Sequence, residues 1–472
     1  MTFSAISESK GHTKVQWAVT ILCNMSIFTY GLQCGWMSPM TKLLQSEESP
    51  TGRPLTDSEI SWIASAPSLA GALGVLMFLQ IVDRYGRKIS IMIMAIFQMM
   101  VWIVTMLPAS TASLIVARSF CGIAGGGCFH VVPMYVKEIA QDNIRGTLAS
   151  VAALAQSIGI LLMYALGGFL DYYTVLWVVV GLPIVTFGLF FIAPESPSFL
   201  VKVGKTDEAA ATLALLRGMD VDDKEIQQEL DVIKKSDDFF KSIPEISMIT
   251  VFKTKAWRKA FLIMMMVILA HATNGGFSIL NYAATLLSDS GVQISPDLQA
   301  LSIPICMTVG SLVTMACIDK LGRRPILGTA FGATAIAFTC LAIATLLKQY
   351  GWATSGWLNV IMMMLAVACY GGGVSPLPFI LMPEIFNFQI RAKLMGYLVM
   401  LAWFTSFVQL IAFSALTSNF GAHVGFFMFV ITNVFGAAVV LLVLPETKGK
   451  TLEEIERVLR GDIEKDAEKS GH

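Results

Sequence analysis

The chain has 472 residues, of which 55% are hydrophobic and 14% charged, with 33 basic residues against 33 acidic. Soluble domains carry about 25% charged residues, so this deficit excludes an ordinary soluble globule and indicates membrane spans. A formal net charge of zero leaves no bulk field to attract nucleic acid.

A spanning helix needs about 20 mainly apolar residues. In chain order such runs fall at 15–36, 60–82, 89–107, 112–135, 147–170, 174–193, 258–287, 298–318, 326–347, 355–382, 394–416 and 424–444. The residues before Lys14 are polar and the first apolar run is long enough to span, so no cleavable signal peptide is expected. The segment 200–257 is too charged for lipid, and its Glu225–Lys235 stretch has apolar residues at helical spacing, which predicts amphipathic surface helices. The tail from Leu452 reads the same way. The eight cysteines (Cys23, Cys34, Cys121, Cys128, Cys306, Cys317, Cys340 and Cys369) all lie in apolar stretches with no Cys-x-x-Cys pair. They read as packing residues, so neither disulfides, a metal nor a cofactor is expected.

Orientation follows from the basic residues. With both termini cytoplasmic, nearly all of the 33 Lys and Arg fall on the cytoplasmic side; Lys42, Arg53 and Lys348 lie outside and Arg118 lies within the fourth span. The chain also repeats. Asp83-Arg84-Tyr85-Gly86-Arg87-Lys88 follows the second span and Asp319-Lys320-Leu321-Gly322-Arg323-Arg324 follows the eighth. Glu138 and Arg145 follow the fourth span with the same offset as Glu384 and Arg391 after the tenth. Pro194-Glu195-Ser196 and Pro445-Glu446-Thr447 end the sixth and twelfth. The expected fold is therefore an all-α membrane protein of twelve helices in two pseudo-symmetric six-helix bundles, 1–199 and 258–446, joined by a cytoplasmic linker, 200–257, and followed by a tail, 447–472. A substrate site is expected between the bundles near the midplane. The charged residues Asp83, Arg84, Arg87, Glu138, Arg145, Glu195, Asp319, Arg323, Arg324, Glu384, Arg391 and Glu446 would latch the bundles on the inside and release when the cavity opens inward. The plainer alternative is that they only fix topology.

At these residues the sequence resembles the sugar porter family of the major facilitator superfamily. Val132-Pro133-Met134-Tyr135-Val136-Lys137-Glu138-Ile139, Pro194-Glu195-Ser196-Pro197-Ser198-Phe199-Leu200, Pro376-Leu377-Pro378 and Pro445-Glu446-Thr447-Lys448-Gly449-Lys450-Thr451-Leu452 are similar to its signatures. Gly35-Trp36-Met37-Ser38-Pro39-Met40 is similar to the insect branch of facilitated trehalose transporters. The resemblance implies the major facilitator fold and a small-molecule substrate, a sugar. The chain departs from the family at Leu79 and Met315, where glycine is usual. It departs again at positions that usually touch the sugar. His271 and Ala272 stand for two glutamines, Phe277 and Met307 for asparagines, Ala153 for a glutamine, Phe379 for a tryptophan and Ala402 for an asparagine.

The polar groups left for a substrate are Gln33, Gln156, His271, Thr273, Asn274 and Asn281, with Tyr282, Phe379 and Trp403 as aromatic lining. Each has a structural alternative, which is packing or hydrogen bonding between helices. Asn274-Gly275-Gly276 predicts a bend in the seventh span. Proton-coupled relatives carry an aspartate where this chain has Gln33, which cannot titrate, and there is no phosphate-binding Gly-Lys-Ser loop. The expectation is a facilitative sugar uniporter of trehalose or hexose type with an atypical, more apolar site, not an enzyme, in the plasma membrane. A facilitator of a non-sugar organic solute and a non-transporting nutrient sensor remain the alternatives. Nothing in the sequence sets the oligomeric state.

Overall fold

The computed structural model describes residues 12–107, 110–141, 144–242, 248–288, 292–352 and 354–460, and among them there is no strand. The amino-terminal half comprises α1 (Lys14–Gly35), α2 (Met37–Leu44), α3 (Asp57–Met106), α4 (Thr111–Ile139), α5 (Arg145–Phe169) and α6 (Tyr172–Leu189). The linker folds as α7 (Pro197–Lys202), α8 (Thr206–Arg217), α9 (Lys224–Ser242) and α10 (Met248–Lys253). The second half comprises α11 (Lys255–Ala272), α12 (Gly276–Ser288), α13 (Pro296–Leu321), α14 (Arg323–Gln349), α15 (Gly356–Cys369), a π-helical turn (Tyr370–Val374), α16 (Leu377–Ile385), α17 (Phe388–Phe420) and α18 (Ala422–Leu442). Helix α19 (Leu452–Arg460) follows.

Among the described residues eleven helices are long and apolar enough to cross a membrane, where the sequence predicts twelve. The difference lies in α3, whose 50 residues cover both the second and the third expected span. A straight helix of that length would measure about 75 Å, more than twice the roughly 30 Å hydrocarbon core. Gly86 breaks it, with a non-helical φ of 89° and ψ of −179°. Three other spans differ from simple helices. The first runs 31 residues, Lys14–Leu44, because α2 prolongs α1. The seventh is split into α11 and α12 at Thr273–Gly275, where Gly275 has φ 97°. The tenth passes through the π turn.

Local chemistry sets the ends. Thr56 and Glu59 form a reciprocal capping box at the start of α3, and Ser110 with Ser113 does the same for α4. Ser196 caps α7 with Pro197 in its first turn, and left-handed Gly218 closes α8. Close approach is built from small residues. A Cβ on Gly31 would lie 2.3 Å from the Gln156 carbonyl oxygen, so α1 and α5 meet backbone to backbone. Large apolar side chains are buried between helices in both halves, among them Phe78, Trp102, Phe331 and Phe429. The outward faces are apolar too: Trp177 is 70% exposed, Ile431 70% and Ile192 82%. That surface is unfavourable in water and suits lipid.

Helix α8 of the linker docks on the first half, and the tail helix on the second. Buried Arg217 pairs with Glu229 at 2.5 Å and donates to the Ile139 carbonyl at 2.8 Å. Gln16 donates to the Leu216 carbonyl at 3.1 Å, so α8 is tied to α1 and α4. The tail helix is tied to the second half through Glu456, which accepts from Trp257 at 3.1 Å and from Asn387 at 3.2 Å. The expected surface helices are therefore docked on the protein, with Leu213, Ile226 and Leu230 buried among them.

Candidate functional site

The two matched charged motifs fold into two matched arrangements. Gly86 and Gly322 turn the chain with φ of 89° and 93°, in the left-handed region that favours glycine. Each turn aims consecutive backbone N–H groups at one carboxylate. Glu195 accepts from Arg87 N at 3.0 Å, Lys88 N at 3.2 Å and Ser196 N at 2.8 Å. Glu446 accepts from Arg323 N and Arg324 N at 3.1 Å, and from Thr447 N and Lys448 N at 2.9 Å. A Cβ on Gly86 or Gly322 would meet a carboxylate oxygen of Glu195 at 2.4 Å or of Glu446 at 2.8 Å. The second acid of each half is held by an arginine and a hydroxyl. Arg87 pairs with Glu138 at 2.5 Å while the Ser196 hydroxyl donates to its other oxygen. Arg323 pairs with Glu384 at 3.1 Å while Thr447 donates to its other oxygen at 2.5 Å.

The matched acids are not electrostatically equal. Burial pushes the Glu195 carboxyl up, and its backbone donors and the nearby Arg87 only partly offset this. Burial also acts upward on Glu446, but the N–H groups of Lys448, Arg323, Arg324 and Thr447 outweigh it and hold that carboxyl below its ordinary value.

The expected latch would join the halves, yet every partner seen on Glu138, Glu195, Glu384 and Glu446 comes from the acid's own half. Asp83 pairs with Lys202 at 2.8 Å, and the Arg84 guanidinium lies over the Tyr85 ring. Arg324 donates to the Leu441 carbonyl and Arg391 to the Phe386 carbonyl. The side chains of Arg145 and Asp319 lie outside the described residues.

The halves meet elsewhere. Trp403 of α17 lies against Gly71 of α3, where a Cβ would be 2.6 Å from its ring, and Trp62 lies 6.0 Å from Phe407. At α12, Tyr164 donates to the Leu280 carbonyl at 2.5 Å and Ala284 N donates to the Ser38 hydroxyl at 3.1 Å. The second half of the broken span is thus bonded to α2 and α5 of the opposite half.

The expected substrate residues divide into two sets. Gln33 is fully buried within the first half, where it donates to the Gln98 carbonyl at 3.2 Å, and its own carbonyl accepts from Arg118. Asn274 faces α18: its amide donates to Asn433, which returns a bond to the Asn274 carbonyl at 2.8 Å. Thr273 donates to the Leu269 carbonyl at 2.7 Å, and Asn281 to the Phe277 carbonyl at 2.8 Å. Each of the four bonds to neighbouring backbone or to another helix, while Gln33 Oε1 and Asn281 Oδ1 are buried without a hydrogen-bond partner among the described residues. Asn433, Gln98 and Arg118 are hydrogen-bond partners that the sequence reading did not single out in those roles.

His271, Phe379, Gln156, Trp403 and Tyr282 form the second set. His271 Nδ1 is 2.9 Å from the Val374 carbonyl. Pro378 has no N–H to offer that carbonyl four residues back, so the imidazole replaces the missing donor. A carbonyl only accepts, so Nδ1 carries the proton and Nε2 presents a lone pair. The ring stacks on Tyr370, centroids 6.3 Å apart, and meets Phe379 edge-on at 5.4 Å. Gln156 and Trp403 are half-buried and make no side-chain hydrogen bond among the described residues. Tyr282 is buried against Phe413, centroids 5.9 Å apart.

Residues 18–459 match the family model described as "Sugar (and other) transporter". The chain belongs to the sugar transporter family. Relatives of this family include a facilitated trehalose transporter of Culex quinquefasciatus, 27% identical over 94% of this chain and 86% of the relative. A sugar transporter ERD6-like protein of Arabidopsis thaliana is 31% identical over 94% of this chain and 90% of its own. A facilitated trehalose transporter of Aedes aegypti is longer, and the match spans 55% of it. Among solved structures, the inward open xylose transporter of E. coli superposes with a TM-score of 0.78 at 21% identity, covering 94% of this chain and 99% of that one. That similarity establishes the major facilitator fold. The chain is therefore a multi-pass membrane protein of a sugar transporter family, and its relatives are transporters, not enzymes.

Proposed function

We propose that this sugar transporter family member is a facilitative uniporter for a sugar of trehalose or hexose type, working by alternating access, with a substrate site more apolar than is usual for such a cargo. In this reading α3 crosses the bilayer twice, giving twelve spans, and both termini are cytoplasmic. The residence proposed is the plasma membrane.

The observation that carries the mechanism is the distribution of bonds between the halves. At the charged end each half closes its own motif internally, while α12 is bonded across to α2 and α5. Two bodies bonded together through α12, with their charged motifs satisfied separately, suit a rocking exchange. In the opposite state the charged residues Asp83, Arg84, Arg87, Glu138, Arg145, Glu195, Asp319, Arg323, Arg324, Glu384, Arg391 and Glu446 serve as the gate.

Substrate contacts are assigned to His271 Nε2, the Gln156 amide and the faces of Phe379 and Trp403, with Tyr282 at the edge. Aromatic faces cover the C–H faces of a sugar ring while few polar groups orient it. Gln33 leaves no carboxylate at its position to carry a proton, which supports uniport. Thr273 and Asn274 act by holding the α11–α12 break and only indirectly on the cargo, and Asn281 acts within α12 through its bond to the Phe277 carbonyl.

The test is uptake by proteoliposomes of labelled trehalose, glucose and a panel of non-sugar organic solutes. Saturable uptake of one sugar, competed by its own unlabelled form, is expected. Uptake confined to a non-sugar solute would replace the cargo while keeping the mechanism. Absence of any flux, together with retained binding, would favour a sensor.

A further inference from the structure

We infer that the first half binds a small monovalent anion, of chloride size, beside Arg118. This arginine lies on α4, about 10 Å along the helix from its first residue, Thr111. It is only 3% exposed. A guanidinium keeps its positive charge inside a protein, and an unpaired charge within a span is expensive.

No carboxylate offsets that charge. Arg118 makes no ion pair among the described residues. Its Nη1 donates to the Gln33 carbonyl and lies 4.0 Å from the Cys121 sulfur, while its buried Nε has no hydrogen-bond partner. The sequence carries no Asp or Glu from Ser9 to Ser46, from Ile60 to Val82 or from Arg84 to Lys137. Helices α5 and α6 contain none either. The acids that bound the apolar stretch of α3, Glu59 and Asp83, pair with Arg53 and Lys202.

Trp36 brings a second donor. Its ring lies 6.0 Å from the Arg118 guanidinium carbon, the residue is 2% exposed, and its Nε1 is buried without a partner. Two neighbouring side chains thus each hold an unmet N–H, and one of them is cationic. That pairing selects negative charge. A water would satisfy the N–H groups but would leave the charge unmet. The surroundings limit the size of the occupant: Tyr172 packs on the indole at 6.3 Å and fully buried Cys121 lies against the guanidinium. Such enclosure favours a halide over a sugar acid or a phosphate. The ion would neutralise Arg118 from outside the chain. Gln33, whose carbonyl already touches the guanidinium, is a neutral residue where a carboxylate would do so from within.

The full-length chain, purified in detergent and exchanged into sodium gluconate, is titrated with chloride-36 at constant ionic strength. Saturable binding approaching one chloride per chain, displaced by bromide, is expected. Arg118→Gln should weaken it by about tenfold or more, as expected for a lost charge-assisted hydrogen bond. Because that variant also removes a buried bond to the Gln33 carbonyl, Gln33→Glu gives an independent reading. A fixed carboxylate beside the guanidinium should displace the ion and weaken chloride binding by a similar factor. The unsubstituted chain should unfold at a higher temperature in chloride than in gluconate, and Gln33→Glu should unfold at the same temperature in both. No saturable binding, or binding that neither substitution weakens, would overturn the proposal. Displacement by glucuronate and not by bromide would also overturn it, since the charge would then serve the cargo.

Discussion

Glu195 and Glu446 occupy matched places, but their environments push them in opposite directions, and this gives a sign that can be measured. Glu446 is held below its ordinary value, so its contribution to stability is present above the unfolded pKa and is lost as pH falls through the folded one. Glu195 is pushed up, so stability linked to its protonation is present at low pH and is lost as pH rises through its folded value. Thermal unfolding in detergent at about pH 7 should therefore show Glu446→Gln as the more damaging of the two substitutions. On acidification the deficit of Glu446→Gln should shrink, whereas that of Glu195→Gln should not. His271 is a second residue-scale case. His271→Phe keeps a ring against Tyr370 and Phe379 but removes the donor to Val374, leaving a carbonyl without its partner. The cost should be about 1–3 kcal/mol in unfolding free energy, and sugar uptake should fall further than that loss of folded protein explains.

Among the elements, the break between α11 and α12 departs most clearly from a regular span. Its position was legible, because Asn274-Gly275-Gly276 is a poor continuation for a helix. What holds it was not legible. Asn433 is 159 residues away and supplies an amide to the Asn274 carbonyl at 2.8 Å and the Phe429 carbonyl at 2.7 Å. Thr432 adds a bond to the Thr273 carbonyl at 2.9 Å. No spacing rule connects partners so distant, so an asparagine beside a bend read equally well as a substrate ligand. Gln33 likewise donates to a residue of another helix, the Gln98 carbonyl 65 residues on, which no spacing rule connects to it. Asn433→Ala should loosen the break, lowering thermal stability by about 1–3 kcal/mol through the unpaired carbonyls. Hydrogen exchange should rise at residues 273–279 first. By contrast, Gly86→Ala should disturb a turn that must remain left-handed and whose missing Cβ leaves room for the Glu195 carboxylate. It should lower both expression and uptake, with Gly322→Ala behaving alike.

At the scale of the whole molecule, charged motifs recur at matching places in the sequence, and each recurs in space as the same arrangement of Gly turn, carboxylate cradle and arginine pair. The sequence also divides 60–82 from 89–107, and the backbone leaves helical geometry at Gly86, between the two. The cargo site was least legible, since sequence gives residue types but not which amides neighbouring helices consume. With the bonded amides of Gln33 and Asn274 set aside, the proposed site is left with a lone pair on His271, the Gln156 amide and aromatic faces, and position 33 carries no carboxylate with which to couple a proton. Facilitated exchange of a sugar is the central claim, and solute counterflow tests it most directly. Proteoliposomes loaded with an excess of unlabelled trehalose or glucose are diluted into a trace of the labelled sugar, with and without a protonophore. The account predicts a transient overshoot of label inside the vesicles, of equal height in both conditions. An overshoot abolished by the protonophore, or none with either sugar, would contradict it.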